Sequence, residues 1–245
     1  MESIEHLKEA LDKAEKQIAE LHREKKSFLK IVSHDLRSPI SRIIGFADLL
    51  KRDLEDQEDL RPFAENIEAA GWNLSKTIAR IVEVEHFLAE ERELILQEVD
   101  LVASAESLLY DIQYDHPDRD IKIDHTGEPI VARVDKPYFD KIFTNLVSNA
   151  CKFSDQDQPV IVAFKVAEDH IRMEVTDSGP GIPEEEEKLL FKKFSRISIR
   201  PTNDEATTGL GLFVVKTCAE AIGAQVSYRK SDEVGSVFAV SFYNS

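Results

Sequence analysis

Four groups of residues have types and spacings that can do chemistry. His34 sits in the run SHDLRSPI, residues 33–40. It lies two positions past the apolar Val32, so a helix would turn its imidazole about 200° from the apolar seam, towards solvent and within reach of a second domain. Asp35 follows it, and Pro39 should kink the helix by removing a backbone donor. Further on, in NLVSNACKFS, Asn145 and Asn149 stand one helical turn apart beside Lys152. Two amides and an ammonium then converge on one patch, where amide oxygens suit Mg²⁺ and the lysine suits phosphate.

The third group is DSGPGI, residues 177–182. Gly179 and Gly181 allow the backbone to approach a flat ligand closely, and Asp177 offers an acceptor to an exocyclic amine. The fourth, TTGLGL, places Gly209 and Gly211 at a helix start, where amides and the helix dipole favour phosphate. Taken singly, each group is equally what an inert surface histidine, a solvated helix face or an ordinary turn presents. Their order along one chain is far more specific.

These groups need elements to position them. Ile4, Leu7, Leu11, Ala14, Ile18, Leu21, Phe28 and Val32 recur at alternating three- and four-residue steps, with Lys25 filling one polar seam position, which predicts a heptad coiled coil. The pattern continues through Ile40, Ile43, Ile44, Ala47 and Leu50, breaks at the acidic stretch 51–59, and resumes from Leu60 to Leu88. Such a helical hairpin buries little alone, so two chains are expected to complete a four-helix bundle. From about residue 97 the texture changes. Strands are expected over 121–123, 160–166, 171–176 and 236–241, and helices over 138–152, 184–194 and 210–222. The expected layout is residues 1–97 as the all-α dimeric hairpin with its coiled coil, and 98–245 as an α+β sandwich with helices on one face of a mixed sheet.

A formal net charge of -16 disfavours nucleic acid or an anionic membrane surface as the main partner. Cys151 and Cys218 lack paired metal-ligand spacing and read as buried thiols of a reducing, cytoplasmic compartment. No apolar run approaches the roughly 20 residues that span a bilayer, so the chain reads as soluble, although a longer parent could be membrane-bound.

With these motifs in this order, the sequence resembles the sensor histidine kinases of two-component systems over nearly its whole length. SHDLRSPI resembles their phosphoacceptor box, NLVSNACKFS the asparagine box, DSGPGI and TTGLGL the glycine boxes, and FKKFSR, residues 191–196, the phenylalanine box. VGSVFAV, residues 234–240, is a lesser match. The resemblance implies a dimeric phosphoacceptor hairpin followed by an ATP-binding sandwich of the type shared with gyrase and a heat-shock chaperone. It implies that His34 attacks the γ-phosphorus of ATP and that phosphate then passes to an aspartate on a response regulator receiver domain. Asp35 would hold the other imidazole nitrogen's proton, and Arg196 would meet the γ-phosphate. Asn149 would ligate Mg²⁺, with Asn145 and Lys152 near the phosphates, and Asp177 would accept from the adenine amine. Gly179, Gly181 and Ile182 would line the base pocket, and Thr208, Gly209, Leu210 and Gly211 would close over the triphosphate beneath a lid spanning 196–207.

Two positions depart from the family pattern. Ser38 stands where Thr or Asn is usual, which puts phosphatase activity in doubt, and Thr207 stands where glycine is common. A nucleotide-binding scaffold and an ATP-hydrolysing clamp are the rival readings; the intact motif set argues against the first, and the phosphoacceptor hairpin against the second. The stimulus, the regulator served and transfer within or between chains are not written in the sequence, and a sensor domain is not expected within it.

Overall fold

The structure is a computed structural model that describes residues 36–52, 54, 60–89, 93–155, 157–195, 197–199, 201, 209–232 and 234–243. The heptad expected over residues 4–32 lies outside them. Contacts divide the chain into two compact units, Met1–Arg92 and Glu93–Ser245.

In the first unit, helix α1 is described over 36–52 and helix α2 spans Arg61–Ala89. The kink expected at Pro39 turns on the carbonyl of residue 35, outside the described residues. The two helices meet through small side chains. Ile40, Ala47 and Ala64 are buried, and a Cβ on Gly71 would come within 2.7 Å of the Ile44 side chain. Lys51 is ion-paired with Glu68 across the pair, and this raises the lysine pKa. Close approach of this kind uses small residues and leaves larger apolar ones elsewhere. Phe46 and Phe63 are about two-thirds exposed, and Ile43, Ile67 and Leu74 about half.

The second unit is the expected α+β layering. Its strands are β1 (Gln97–Asp100), β2 (Ile121–Asp124), β3 (Val131–Val134), β4 (Val160–Val166), β5 (His170–Asp177), β6 (Gln225–Lys230) and β7 (Ser236–Tyr243). Its helices are α3 (Leu101–Asp115), α4 (Lys136–Phe153), α5 (Glu184–Glu187) and α6 (Gly211–Ala221). β1 and β3 form a small antiparallel ribbon, and the main sheet has the order β2-β4-β5-β7-β6, antiparallel except for the β2–β4 pair. A parallel pair needs a crossover, and α4 lies on that crossover. Gln97, expected at the end of the helical region, instead opens β1 opposite Val134. The adjoining segment is tied in as well, because the Ile95 amide donates to Asp135 Oδ2 at 2.9 Å.

Alternation along the central strands sets the two faces of the sheet. Val160, Val162 and Phe164 of β4, and Ile171, Met173 and Val175 of β5, are buried with the apolar stripe of α4: Phe139, Ile142, Phe143, Leu146 and Val147. Phe139 stacks on Phe143 and tilts against Phe242, with ring centroids 6.1 and 5.9 Å apart. Each such side chain contributes about 1.5–3 kcal/mol on leaving water. The opposite face is polar. Glu174 is penalised by burial, yet hydrogen bonds from Lys165 and Arg172, at 2.7 and 2.8 Å, outweigh that and hold its carboxyl below the ordinary range.

One expected helix is cut short. Residues 184–194 begin as helix but stop at Glu187, and i→i+3 bonds follow, from Leu189 to Glu186, Leu190 to Glu187 and Lys192 to Leu189. The four glutamates fill the first turn, where carboxylates favour a helix start, and past them Leu190 reaches the core, where it is 5% exposed. Among the described residues, no helix is long and apolar enough to cross a membrane.

Candidate functional site

The alternation that buries Met173 and Val175 also carries Asp177 inward at the end of β5, leaving its carboxylate 5% exposed. Asp177 Oδ1 accepts from the Gly179 amide at 2.9 Å and the Ser236 amide at 3.2 Å. The Ser236 side chain hydrogen-bonds the same carboxylate. Burial lifts this carboxyl above its ordinary range, against the pull of Gly179 and Ser236. An acceptor fixed this firmly suits an N–H donor on a ligand.

The loop after Asp177 is pinned from several sides. Gly179 lies so close to the Phe153 carbonyl that a Cβ would overlap it. Gly235, at φ +109°, lies against the Asp177 carbonyl in the same way, and a left-handed conformation there excludes other residues. The Ser178 amide donates to Ser154 Oγ at 3.0 Å. Ser154 is the fully buried cap of α4, and its carbonyl, with that of Asp155, accepts from the two terminal nitrogens of Arg119 at 2.9 and 2.7 Å.

Around Asp177 opens a cleft lined by Asn149, Phe153, Pro180, Gly181, Ile182, Ile197, Ile199, Leu212, Ser236 and Phe238. Its mostly apolar wall with a few placed polar groups is that of a small-molecule site. Asn149 reaches it from α4. The amide of Asn145, one turn earlier, donates to the Lys141 carbonyl at 2.7 Å. Both asparagines lie against the start of α6, where a Cβ on Gly211 would come within 3.3 Å of Asn145 Oδ1 and of both Asn149 amide atoms. The second and fourth motifs, over sixty residues apart in sequence, therefore meet.

Of the expected site residues, Asn149, Asp177, Gly181 and Ile182 line the cleft, and Gly179 and Asn145 stand directly behind it. Lys152, half-buried in the last turn of α4, is not among the lining residues. Leu210 is fully buried in the core, between Gly209 and Gly211. His34, Asp35, Arg196 and Thr208 lie outside the described residues. Ahead of the segment expected as a lid, Phe194 adopts φ +59°, and the Lys193 ammonium lies 5.4 Å from its ring centroid and 5.5 Å from that of Phe213.

Comparison with known proteins matches two family models in chain order. Residues 24–87 match the His Kinase A (phospho-acceptor) domain, and residues 134–244 match the Histidine kinase-, DNA gyrase B-, and HSP90-like ATPase. The chain belongs to the sensor histidine kinases. The chain is 23% identical over 230 residues to the signal transduction histidine-protein kinase ArlS of Staphylococcus haemolyticus, covering 92% of the chain and 50% of the relative. It is 29% identical over 226 residues to a sensor-like histidine kinase of Rhizobium meliloti, covering 89% and 42%. The chain thus spans about half the length, or less, of these curated relatives. Among solved structures, full-length ShkA in complex with AMPPNP aligns with a TM-score of 0.63 at 22% identity, covering 89% of this chain and 46% of that one. The Acinetobacter baumannii histidine kinase AdeS aligns at 0.53 and 22% identity, covering 86% and 97%. At these identities the likeness bears on the fold.

Three residues around the site carried little local signal. Arg119 acts on carbonyls 35 and 36 residues away, Tyr228 accepts from Ile182, 46 residues away, and Gly235 stood only in the lesser match VGSVFAV. Ser38, where the family pattern differs, is exposed on α1.

Proposed function

We propose that this kinase phosphorylates His34 from ATP and passes the phosphoryl group to an aspartate of a response regulator receiver domain. The observation that carries the reading is the cleft itself, with a fixed buried acceptor, Asp177, among apolar walls and an amide, Asn149, reaching in from α4. An adenine fits that chemistry, with a flat apolar body and an exocyclic N–H donor for Asp177. Gly179, Gly181 and Ile182 would shape the base pocket. Asn149 would supply an amide oxygen to Mg²⁺, a hard cation that commonly takes few protein ligands and completes its shell with water and phosphate. Asn145 and Lys152 would flank the phosphates, and Thr208, Gly209, Leu210 and Gly211 would cover them. When bound, Mg²⁺ neutralises phosphate charge, and Arg196 would add to that at the γ-position.

On the helical side, His34 would offer one ring nitrogen as nucleophile while Asp35 holds the proton on the other. The exposed stripe of Ile43, Phe46, Phe63, Ile67 and Leu74 supports pairing with a second copy of the chain. Ser38 has a hydroxyl but not the reach of an amide, so removal of phosphate from the regulator is expected to be weak. Buried and outside any disulfide, Cys151 and Cys218 suit a cytoplasmic setting.

Isothermal titration of the full chain with ADP, with and without Mg²⁺, tests the cleft. Asn149→Ala should abolish the Mg²⁺-dependent part of the affinity and leave the metal-independent part. Unchanged Mg²⁺ dependence in that variant would remove Asn149 from the metal site.

A further inference from the structure

Three backbone amides of the loop 178–182 are held by side chains from three different elements. Ser178 is held by Ser154 at the end of α4, Gly179 by Asp177 on β5, and Ile182 by Tyr228 on β6, whose Oη accepts at 3.2 Å. Tyr228 is half-buried and pairs in register with Phe238 on β7, with ring centroids 5.2 Å apart. Ile182 and Phe238 both line the cleft. The tyrosine thus grips two parts of one wall, Phe238 through its ring and Ile182 through its hydroxyl. Pro180 has no N–H of its own, so the far half of the loop depends more on the Ile182 anchor.

We infer that Tyr228 is a positioning residue for the base end of the nucleotide cleft, setting Gly181 and Ile182 against the ligand's ring. The inference rests on the cleft being a nucleotide site. It is confined to the base, because the wall residues Tyr228 holds, Ile182 and Phe238, line the cleft together with Asp177. A phenylalanine at 228 would keep the ring on Phe238 and lose only the acceptor, freeing the Ile182 amide.

The test is equilibrium binding of ADP and of free adenosine to the full chain and to Tyr228→Phe, with the melting temperature of each. Wild type should bind both, and Tyr228→Phe should bind each about two- to tenfold more weakly by a similar factor, the range controlled by one neutral hydrogen bond, with melting unchanged within a degree or two. Equal affinities in the two proteins would overturn the positioning role while leaving the nucleotide reading standing. A drop for ADP but not adenosine would also overturn it, since the effect would then lie at the phosphates, and weaker binding that tracks a melting point lowered by several degrees would assign Tyr228 to stability instead. Failure of wild type to bind either ligand would sink the nucleotide reading and this inference with it.

Discussion

Asp177 concentrates the chemistry of the cleft at one side chain. Its Oδ1 serves two backbone amides, so Asp177→Asn faces a conflict that a carboxylate does not. With its carbonyl on those amides, the asparagine turns an NH₂ towards the ligand's own N–H; flipped, it leaves the amides unmatched. Loss of a hydrogen bond to a charged group, with a donor clash in its place, should weaken ADP binding about 100-fold by titration. Stability should respond differently. Burial raises the folded pKa of Asp177 above its ordinary 3.8, so the stability linked to its protonation is fully present below 3.8 and is lost as pH rises through the raised value. Asp177→Asn, which does not titrate, should therefore gain melting temperature relative to wild type as pH climbs from about 4 to 7. A constant difference across that range would mean that the carboxyl is not perturbed. The identity of Asp177 and its glycines was legible in the sequence because short motifs preserve local spacing. Arg119 and Tyr228 were not, because their partners are 35 and 46 residues distant and nothing in either neighbourhood marks them.

At the scale of elements, the strongly patterned segments were readable and the weak ones were not. α4 and β4 emerged because one apolar stripe or a run of β-formers dominates them. α3 was missed. Its start is set by Asp100, whose carboxylate accepts from the Val102 and Ala103 amides at 3.1 and 3.3 Å, while Tyr110 and Tyr114 on it remain exposed and blur the stripe. β1 and β3 are four residues each and gain definition only by pairing. The 184–194 segment misled because apolar spacing at Leu189, Leu190 and Phe194 imitates an α-helix, whereas the chain continues past Glu187 through i→i+3 bonds. In the hairpin, apolar periodicity located α2 correctly but did not separate the two uses of its surface. Small residues, Ala64 and Gly71, face α1, and the larger ones are left for the proposed second copy. Phe63→Asp should then weaken self-association at least 100-fold in sedimentation equilibrium, because an unpaired charge in an apolar interface costs several kcal/mol, with α-helical content retained. A wild-type mass of 27.8 kDa at all concentrations would instead show that the stripe has another occupant.

At the scale of the whole molecule, the first unit bears the sequence of a phosphoacceptor and the second a cleft with the furniture for a nucleotide. The order of motifs made that division legible without coordinates, whereas the placement of Asn145 and Asn149 against Gly211 needed the folded chain, since α4 and α6 lie far apart in sequence. A net charge of -16 gives the surface as a whole no attraction for polyphosphate, so ATP capture has to come from local donors in the cleft. The proposed reaction ends with phosphate from ATP on His34. The most direct test is incubation of the purified full chain with γ-labelled ATP and Mg²⁺, followed by acid and alkali treatment of the labelled protein. The account predicts an acid-labile, alkali-stable label that disappears in His34→Ala while ADP affinity is kept. Label that persists in His34→Ala, or none on wild-type protein that binds ATP, would contradict it.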